Sequence, residues 1–331
     1  MIIHVKKGVS AELLEKMAVF YEAIQITNED HIKLVTPSKV KTLEDQFADL
    51  VDDYYVLSDD IQLASKQYKS ARAIQVGDLT IGGNSKNTIV ISGPCSVESR
   101  ELIEHSAAFL KDSGIKIMRA GSFKPRTSPY TFQGLGSKGL ELLTEMKEKY
   151  GLKIITEARD ATHIDEIIEA ADIVQIGAKA MYDQGILRKC AKSNKPVLIK
   201  RGFGSTLQEF VQAAEFVLSG GNEQVILCER GIRTFESKTR FTLDLCGVSY
   251  LKEYTNLPIV VDPSHAMGYS YGVADLTRAS VAMGVDGVLI EVHPNPKEAL
   301  SDAAQQLNHN QFSEMLQTLK PIAESIGRNM I

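Results

Sequence analysis

Lys124-Pro125-Arg126-Thr127-Ser128 places two cations and two hydroxyls in one short stretch, directly behind the apolar run Ile115-Lys116-Ile117-Met118-Arg119-Ala120-Gly121. That run reads as a buried strand stopping at a glycine, so Arg119, Lys124 and Arg126 gather just past its C-terminal end. Proline holds the segment extended and keeps a helix from starting there. Lysine brings a compact charge and arginine a planar two-pronged donor, a combination suited to a phosphate and a carboxylate. By itself the stretch also reads as an exposed basic loop, since Lys and Arg are usual surface residues.

A second set has different chemistry. Cys95, His265, Glu291 and Asp302 offer a thiolate, an imidazole and two carboxylates. Such a mixture suits a borderline divalent ion such as Mn, Fe, Co or Zn rather than Ca or Mg. No CxxC or HExxH spacing joins these residues, so only a fold that brings distant segments together can make them a site. Singly they read as a small buried cysteine, a turn histidine and carboxylates paired with lysines. Further candidates for an anion are Lys179, Lys200 with Arg201, and Arg230 with Arg233, and Glu157 stands among them. Lys200 closes an apolar run and needs an anionic partner, either a substrate phosphate or a carboxylate such as Glu157.

The elements that must position these groups follow from the apolar rhythm after Asn87. Eight runs rich in Ile and Val, at 88–92, 115–119, 153–157, 173–176, 196–200, 224–228, 258–262 and 287–291, alternate with helical stretches. Near-continuous apolarity marks strands covered on both faces, hence a parallel sheet. Eight repeats over residues 88–331 have the count and length of a (β/α)8 TIM barrel, whose chemistry sits at the C-terminal strand ends. On that alignment the cations belong to strands two and four to six. Cys95, His265 and Glu291 belong to strands one, seven and eight, which are neighbours around a closed ring.

Residues 1–61 read as strand 1–5, helix 11–21, strand 23–27, strand 32–35, helix 42–50 and strand 54–57. This βαββαβ order is the ferredoxin-like arrangement. It carries no cluster of Cys, His and carboxylate and suits a regulatory or assembly module. Residues 62–87 read as a linker with room for a short hairpin. Gly134-Leu135-Gly136-Ser137-Lys138-Gly139 matches the dinucleotide fingerprint GxGxxG, but the strand that motif requires immediately before it is missing.

The whole chain has 331 residues, 44% of them apolar, and a formal net charge of -5. That describes an α/β globular protein and argues against a nucleic-acid or polybasic membrane partner. No secretory leader or membrane-length apolar run is visible, which implies a cytoplasmic protein. The four cysteines are widely spaced, as expected for reduced thiols rather than a disulfide framework.

Several motifs then carry a resemblance. Gly93-Pro94-Cys95-Ser96-Val97-Glu98, Lys124-Pro125-Arg126-Thr127-Ser128, Phe132-Gln133-Gly134-Leu135-Gly136, Leu227-Cys228-Glu229-Arg230-Gly231-Ile232-Arg233-Thr234-Phe235, Asp262-Pro263-Ser264-His265 and Glu291-Val292-His293-Pro294 resemble the 3-deoxy-D-arabino-heptulosonate 7-phosphate (DAHP) synthases. The likeness is to the short type I-beta form and runs from about Thr88 to the C-terminus, and the N-terminal unit resembles the ferredoxin-like regulatory domain of some members. The resemblance implies a metal-dependent, aldol-like condensation of phosphoenolpyruvate with erythrose 4-phosphate, which begins aromatic amino-acid biosynthesis by the shikimate pathway. It implies Cys95, His265, Glu291 and Asp302 as ligands of the divalent ion. Arg119, Lys124, Lys200 and Arg230 would hold phosphoenolpyruvate beside Glu157, and Arg126 and Thr127, with Ser128 adjoining, would take the sugar phosphate. Lys124, Glu157, Lys200 and His265 are the implied catalytic groups. A homo-oligomer, a tetramer by resemblance, and an aromatic amino-acid effector at the N-terminal unit are further implications.

One departure stands out. Where the family usually reads Gly-Ala-Arg-Asn after the fourth strand, this chain has Gly177-Ala178-Lys179-Ala180, and Tyr182-Asp183-Gln184 replaces the usual Gln-Asn-Phe. Lys179 keeps the charge and loses the fork, so weaker phosphoenolpyruvate binding is expected unless an arginine such as Arg201 substitutes. The same change fits a weakened paralogue acting as an amino-acid-responsive partner, for instance of chorismate mutase. The sibling synthase that uses arabinose 5-phosphate shares the barrel, but it has Asn in place of the Pro-Arg-Thr pattern.

Overall fold

The computed structural model describes residues 1–28, 31–124 and 128–331. The chain opens with β1 (Ile2–Val5), α1 (Ala11–Phe20), β2 (Ile24–Thr27), β3 (Ile32–Val35), α2 (Asp45–Ala48) and β4 (Val51–Tyr55). Among the described residues these strands form an antiparallel sheet in the order β2-β3-β1-β4. That is the split-βαβ order of the ferredoxin-like arrangement expected from the sequence. Its core is Met1, Ile3, Val5, Leu14, Met17, Tyr21, Leu34, Phe47 and Val51. Two boundaries differ from expectation. The second helix is a single turn held by the buried Phe47, and β4 starts at Val51 because Val51 pairs with Val5 across a bulge. Asp52 and Asp53, both outward-facing, hide that strand in the sequence.

The segment expected as a linker contains the hairpin β5 (Ala73–Val76) and β6 (Leu79–Gly82). Ile74, Val76, Leu79 and Ile81 are buried in the inner core of the following barrel. The hairpin plugs the end where the strands begin. Its Gly77 lies against Lys153 and its Gly82 against Pro258, at the starts of two barrel strands.

The barrel proper runs β7 (Asn87–Gly93), α3 (Arg100–Asp112), β8 (Ile117–Arg119), α4 (Ser137–Tyr150), β9 (Lys153–Ala158), α5 (Ile164–Ala170), β10 (Ile173–Ile176), α6 (Gln184–Lys192), β11 (Val197–Lys200), α7 (Leu207–Ser219), β12 (Val225–Glu229), α8 (Leu245–Tyr254), β13 (Ile259–Val261), α9 (Pro263–Met267), α10 (Val273–Ala282), β14 (Gly287–Glu291), α11 (His309–Ser325) and β15 (Asn329–Met330). Among the described residues, β7 to β14 are parallel and the ring closes where β14 pairs with β7. Alternate side chains fill two layers. Ile89, Ile91, Ile117, Ile155, Ile173, Leu198, Ile226, Val260 and Leu289 point inward, while Val90, Met118, Ile154, Val174 and Val288 pack under the helices. Both layers being apolar, the runs look continuous in sequence.

The N-terminal sheet is tied to the barrel by polar contacts. Lys33 Nζ lies 2.7 Å from Glu223 Oε1, and Arg72 donates to Glu223 Oε2 at 2.8 Å. Gln62 and Ala64 donate backbone N–H groups to Glu215 Oε1 of α7 at 2.7 and 2.6 Å. Among the described residues no helix is long and apolar enough to cross a membrane.

Candidate active site

The candidate side chains gather at the C-terminal mouth, on strand ends and on the loops that follow them. Cys95 follows β7 and is fully buried. Gly93 gives β7 its close approach to β8, since a Cβ there would sit 2.2 Å from the Arg119 carbonyl oxygen. His265 is placed by local capping: the Asp262 carboxylate accepts the His265 N–H at 3.0 Å, with Pro263 opening α9. Glu291 ends β14, and Asp302 lies on the loop before α11.

The sulfur of Cys95 and carboxylate oxygens of Glu291 and Asp302 all fall within 4.8 Å of one another, a possible metal-binding group. The Cys95 thiol donates to Asp302 Oδ2 at 3.3 Å. His265 borders this group through the carboxylates, with Nε2 3.5 Å from Glu291 Oε1 and 3.8 Å from Asp302 Oδ2. The thiol and two acids therefore converge, and the imidazole adjoins them from the side of the acids, a donor set of the kind a borderline divalent ion takes. Burial, reinforced by Glu291, pushes the Cys95 thiol up to about 12, so a cation must displace its proton before it can act as a ligand. Burial opposes ionisation of Glu291 too, but His265 and Arg119 hold it below the ordinary carboxylate range.

Behind these groups, Arg119 donates to Glu291 Oε1 at 2.7 Å and to the Pro94 carbonyl at 2.9 Å. Lys124 Nζ lies 3.1 Å from the Cys95 sulfur and 3.2 Å from its carbonyl oxygen, at the border between the acidic group and the cations. A cavity of about 710 Å³ opens there, lined by Lys124, Ser128, Glu157, Lys179, Lys200, Arg230, Arg233, Arg240, His265 and Asp302, with Phe203 and Phe241. Arg230 is 4% exposed, yet its Nε and one terminal nitrogen have no hydrogen-bond partner. Its guanidinium stacks 4.3 Å from the centre of the Phe241 ring, which fixes its plane. A buried arginine with unpaired donors lining a cavity is a site for an anion.

Two expectations need correction. Lys200 pairs with Asp262 Oδ2 at 2.6 Å, not with Glu157, whose Oε2 instead accepts from Gln175 at 2.9 Å. Arg201 does not line the cavity. It is buried between Glu229 and Asp244 at 2.9 and 2.8 Å, so it is committed elsewhere and cannot stand in for a missing fork. Lys179 lines the cavity as expected, and Gly177 before it lies so close to Glu157 that a Cβ would meet Oε1 at 2.1 Å. In the altered segment that follows, Asp183 caps α6 through the Gly185 and Ile186 N–H groups. Arg126 and Thr127 lie outside the described residues.

Sequence reading missed Asp262, whose Oδ2 touches both Lys200 Nζ and, at 2.7 Å, His265 Nδ1. Its position in Asp262-Pro263-Ser264-His265 signals a helix cap and gives no hint of a charge shared by two site residues. Gln305, which donates to Glu291 Oε2 at 2.6 Å, and Arg240, 3.3 Å from Asp302, carry no sequence signal.

A family model described as the DAHP synthetase I family matches residues 61–327. A Thermotoga maritima protein named phospho-2-dehydro-3-deoxyheptonate aldolase is 47% identical over 254 residues, covering 77% of this chain and 75% of its own length. A 2-dehydro-3-deoxyphosphooctonate aldolase of Francisella tularensis subsp. holarctica is 33% identical over 258 residues, covering 72% of this chain and 93% of its own. Among solved structures, the Thermotoga maritima phospho-2-dehydro-3-deoxyheptonate aldolase (DAHP synthase) aligns with 100% of this chain and 99% of its own, at 40% identity and a TM-score of 0.81. A truncated Thermotoga maritima 3-deoxy-D-arabino-heptulosonate 7-phosphate synthase covers 81% of this chain and 98% of its own, at 42% identity and a TM-score of 0.76.

Proposed function

Because this chain belongs to the DAHP synthetase I family, we propose that its barrel mouth condenses phosphoenolpyruvate with erythrose 4-phosphate to give DAHP and phosphate. The observation that carries the reading is the pairing of one cavity with two chemistries: Arg230, with two unpaired nitrogens, among lysines on one wall, and the Cys95, Glu291, Asp302 and His265 donors on the other. A doubly anionic enol phosphate fits the first wall, and an aldehyde to be polarised fits the second.

Arg230, Lys200, Lys179 and Lys124 hold the phosphate and carboxylate of phosphoenolpyruvate, with Arg119 behind them and Glu157 beside them. Cys95, His265, Glu291 and Asp302 hold a divalent ion such as Mn, Fe, Co or Zn, which when bound supplies Lewis-acid polarisation of the aldehyde. Arg126, Thr127 and Ser128 take the far phosphate of the sugar. With both substrates fixed, the enol carbon attacks the aldehyde carbon, water adds to the neighbouring carbon, and phosphate leaves by C–O cleavage. Lys124 reaches the border of the two walls, and its ammonium delivers the proton that the new alkoxide takes up. Burial opposes that charge, and Cys95 and Glu157 hold it in place, keeping the Lys124 pKa above the ordinary lysine value. Asp262 keeps Lys200 and His265 in fixed orientation, so the two walls share one carboxylate.

The test is phosphate release on mixing phosphoenolpyruvate, erythrose 4-phosphate and Mn. Turnover that a chelator abolishes and Mn restores is the expected result. Binding of phosphoenolpyruvate without turnover would point instead to the weakened paralogue, and faster turnover with arabinose 5-phosphate to the sibling reaction.

A further inference from the structure

We infer that Ser96, Glu98, Ser301 and Gln306 form a clasp that positions Asp302 against Cys95 and so sets how tightly the mouth holds its divalent ion. The inference rests on the ion-binding reading above and adds residues that do not touch the ion. Cys95 and Asp302 come from opposite ends of the barrel sequence and from loops, not from strands. Asp302 also has a left-handed backbone, with φ of 48°, a conformation that non-glycine residues seldom adopt. Something outside the residue must hold it there.

The contacts that do so join the two loops and brace each of them. The Ser96 and Ser301 hydroxyls meet at 2.7 Å, and both residues are buried. Glu98 Oε1 accepts the Leu300 N–H at 3.0 Å and the Ser96 hydroxyl at 3.2 Å. Gln306 spans the gap, accepting the Cys95 N–H at 3.1 Å through Oε1 and donating to the Ser301 carbonyl at 2.9 Å through Nε2. Three of these bonds, Ser96 to Ser301, Leu300 to Glu98 and Cys95 to Gln306, therefore tie the Cys95 loop to the Asp302 loop. On the solvent side Arg240, 39% exposed, pairs with Asp302 at 3.3 Å, a screened contact that adds little to the hold on that carboxylate, and donates to Gln305 of the same loop at 2.6 Å. Ser96, Ser301 and Gln306 are buried, so a partner lost among them leaves a buried polar group unsatisfied and the ligand loop relaxes.

Cobalt(II) titration of the full chain reads this directly, because a cysteine thiolate on cobalt gives a charge-transfer absorption band. The parent is expected to show the band. Ser301→Ala and Gln306→Glu, the latter keeping the acceptor for the Cys95 N–H and losing the donor to Ser301, are expected to weaken cobalt binding about tenfold or more. Ser301→Thr, which restores the hydroxyl, is expected to recover it. If Ser301→Ala fails to fold, Ser96→Ala removes the other half of the same bond and replaces it in the test. Folded variants that bind cobalt within about twofold of the parent would overturn the clasp. A parent without the thiolate band would overturn the ion-binding reading itself, and the clasp with it.

Discussion

Asp262 serves Lys200 at 2.6 Å and His265 at 2.7 Å from one oxygen, with its side chain fully buried. An Asp262→Asn substitution keeps the shape and removes the charge that both neighbours face. Leaving one member of a buried pair uncompensated costs about 3–5 kcal/mol, so the variant is expected to melt lower, raise the Michaelis constant for phosphoenolpyruvate and bind cobalt more weakly. A loss confined to one of the two binding measurements would separate the walls that Asp262 is taken to couple. Lys179 makes the opposite case, a residue whose replacement should improve the site. Arg201, locked to Glu229 and Asp244, does not supply the fork that Lys179 lacks. Lys179→Arg is expected to lower the Michaelis constant for phosphoenolpyruvate roughly fivefold, worth about 1 kcal/mol, the net gain of one added hydrogen bond. An unchanged constant would mean that the lysine already satisfies the phosphate.

At the scale of elements, α7 joins the two parts of the chain through Glu215. Burial raises its carboxyl from 4.5 to about 7, against the pull of the Ala64, Leu63 and Gln62 N–H groups and of Arg72. Folding therefore takes up a proton that the unfolded chain releases. The contribution is fully present below pH 4.5, falls as pH rises, and is gone above about 7. The full swing is on the order of 3 kcal/mol. Glu215→Gln keeps an acceptor for these N–H groups and cannot ionise, so thermal midpoints measured across that window should flatten and rise at pH 8 relative to the parent. A variant with the parent's slope would place the titration elsewhere.

For the molecule as a whole, the question is where the barrel begins. The hairpin at Ala73–Gly82 fills the closed end of the inner core. Each of Ile74, Val76, Leu79 and Ile81 contributes about 1.5–3 kcal/mol by burial. Removing residues 1–61 should leave a barrel that folds and releases phosphate, while removing residues 1–84 should lower the thermal midpoint sharply or prevent folding. Equal midpoints for the two truncations would show that the plug is dispensable. The shorter deletion also tests the proposed regulatory role of the N-terminal unit. Inhibition by tyrosine or phenylalanine should be present in the full chain and absent without residues 1–61, and its survival would assign the effector to the barrel.

Periodicity and turn chemistry alone determined the alternation of strands and helices, because a strand buried on both faces has few residues to choose from and Ile and Val announce it. The motifs around Cys95, Lys124, Arg230 and His265 were legible for a related reason, since each follows directly on a strand end that the pattern locates. Local sequence could not say which ends meet. The approach of Cys95 to Asp302, the commitment of Lys200 to Asp262 and of Arg201 to Glu229, and the burial of Arg230 with two nitrogens unpaired arise from ring closure between β14 and β7 and from loops crossing the mouth. Charge partners are chosen by distances that exist only once the chain has closed on itself. A buried cation or acid whose partner lies far along the chain is therefore fixed by tertiary structure, and the sequence names the charge without naming what answers it.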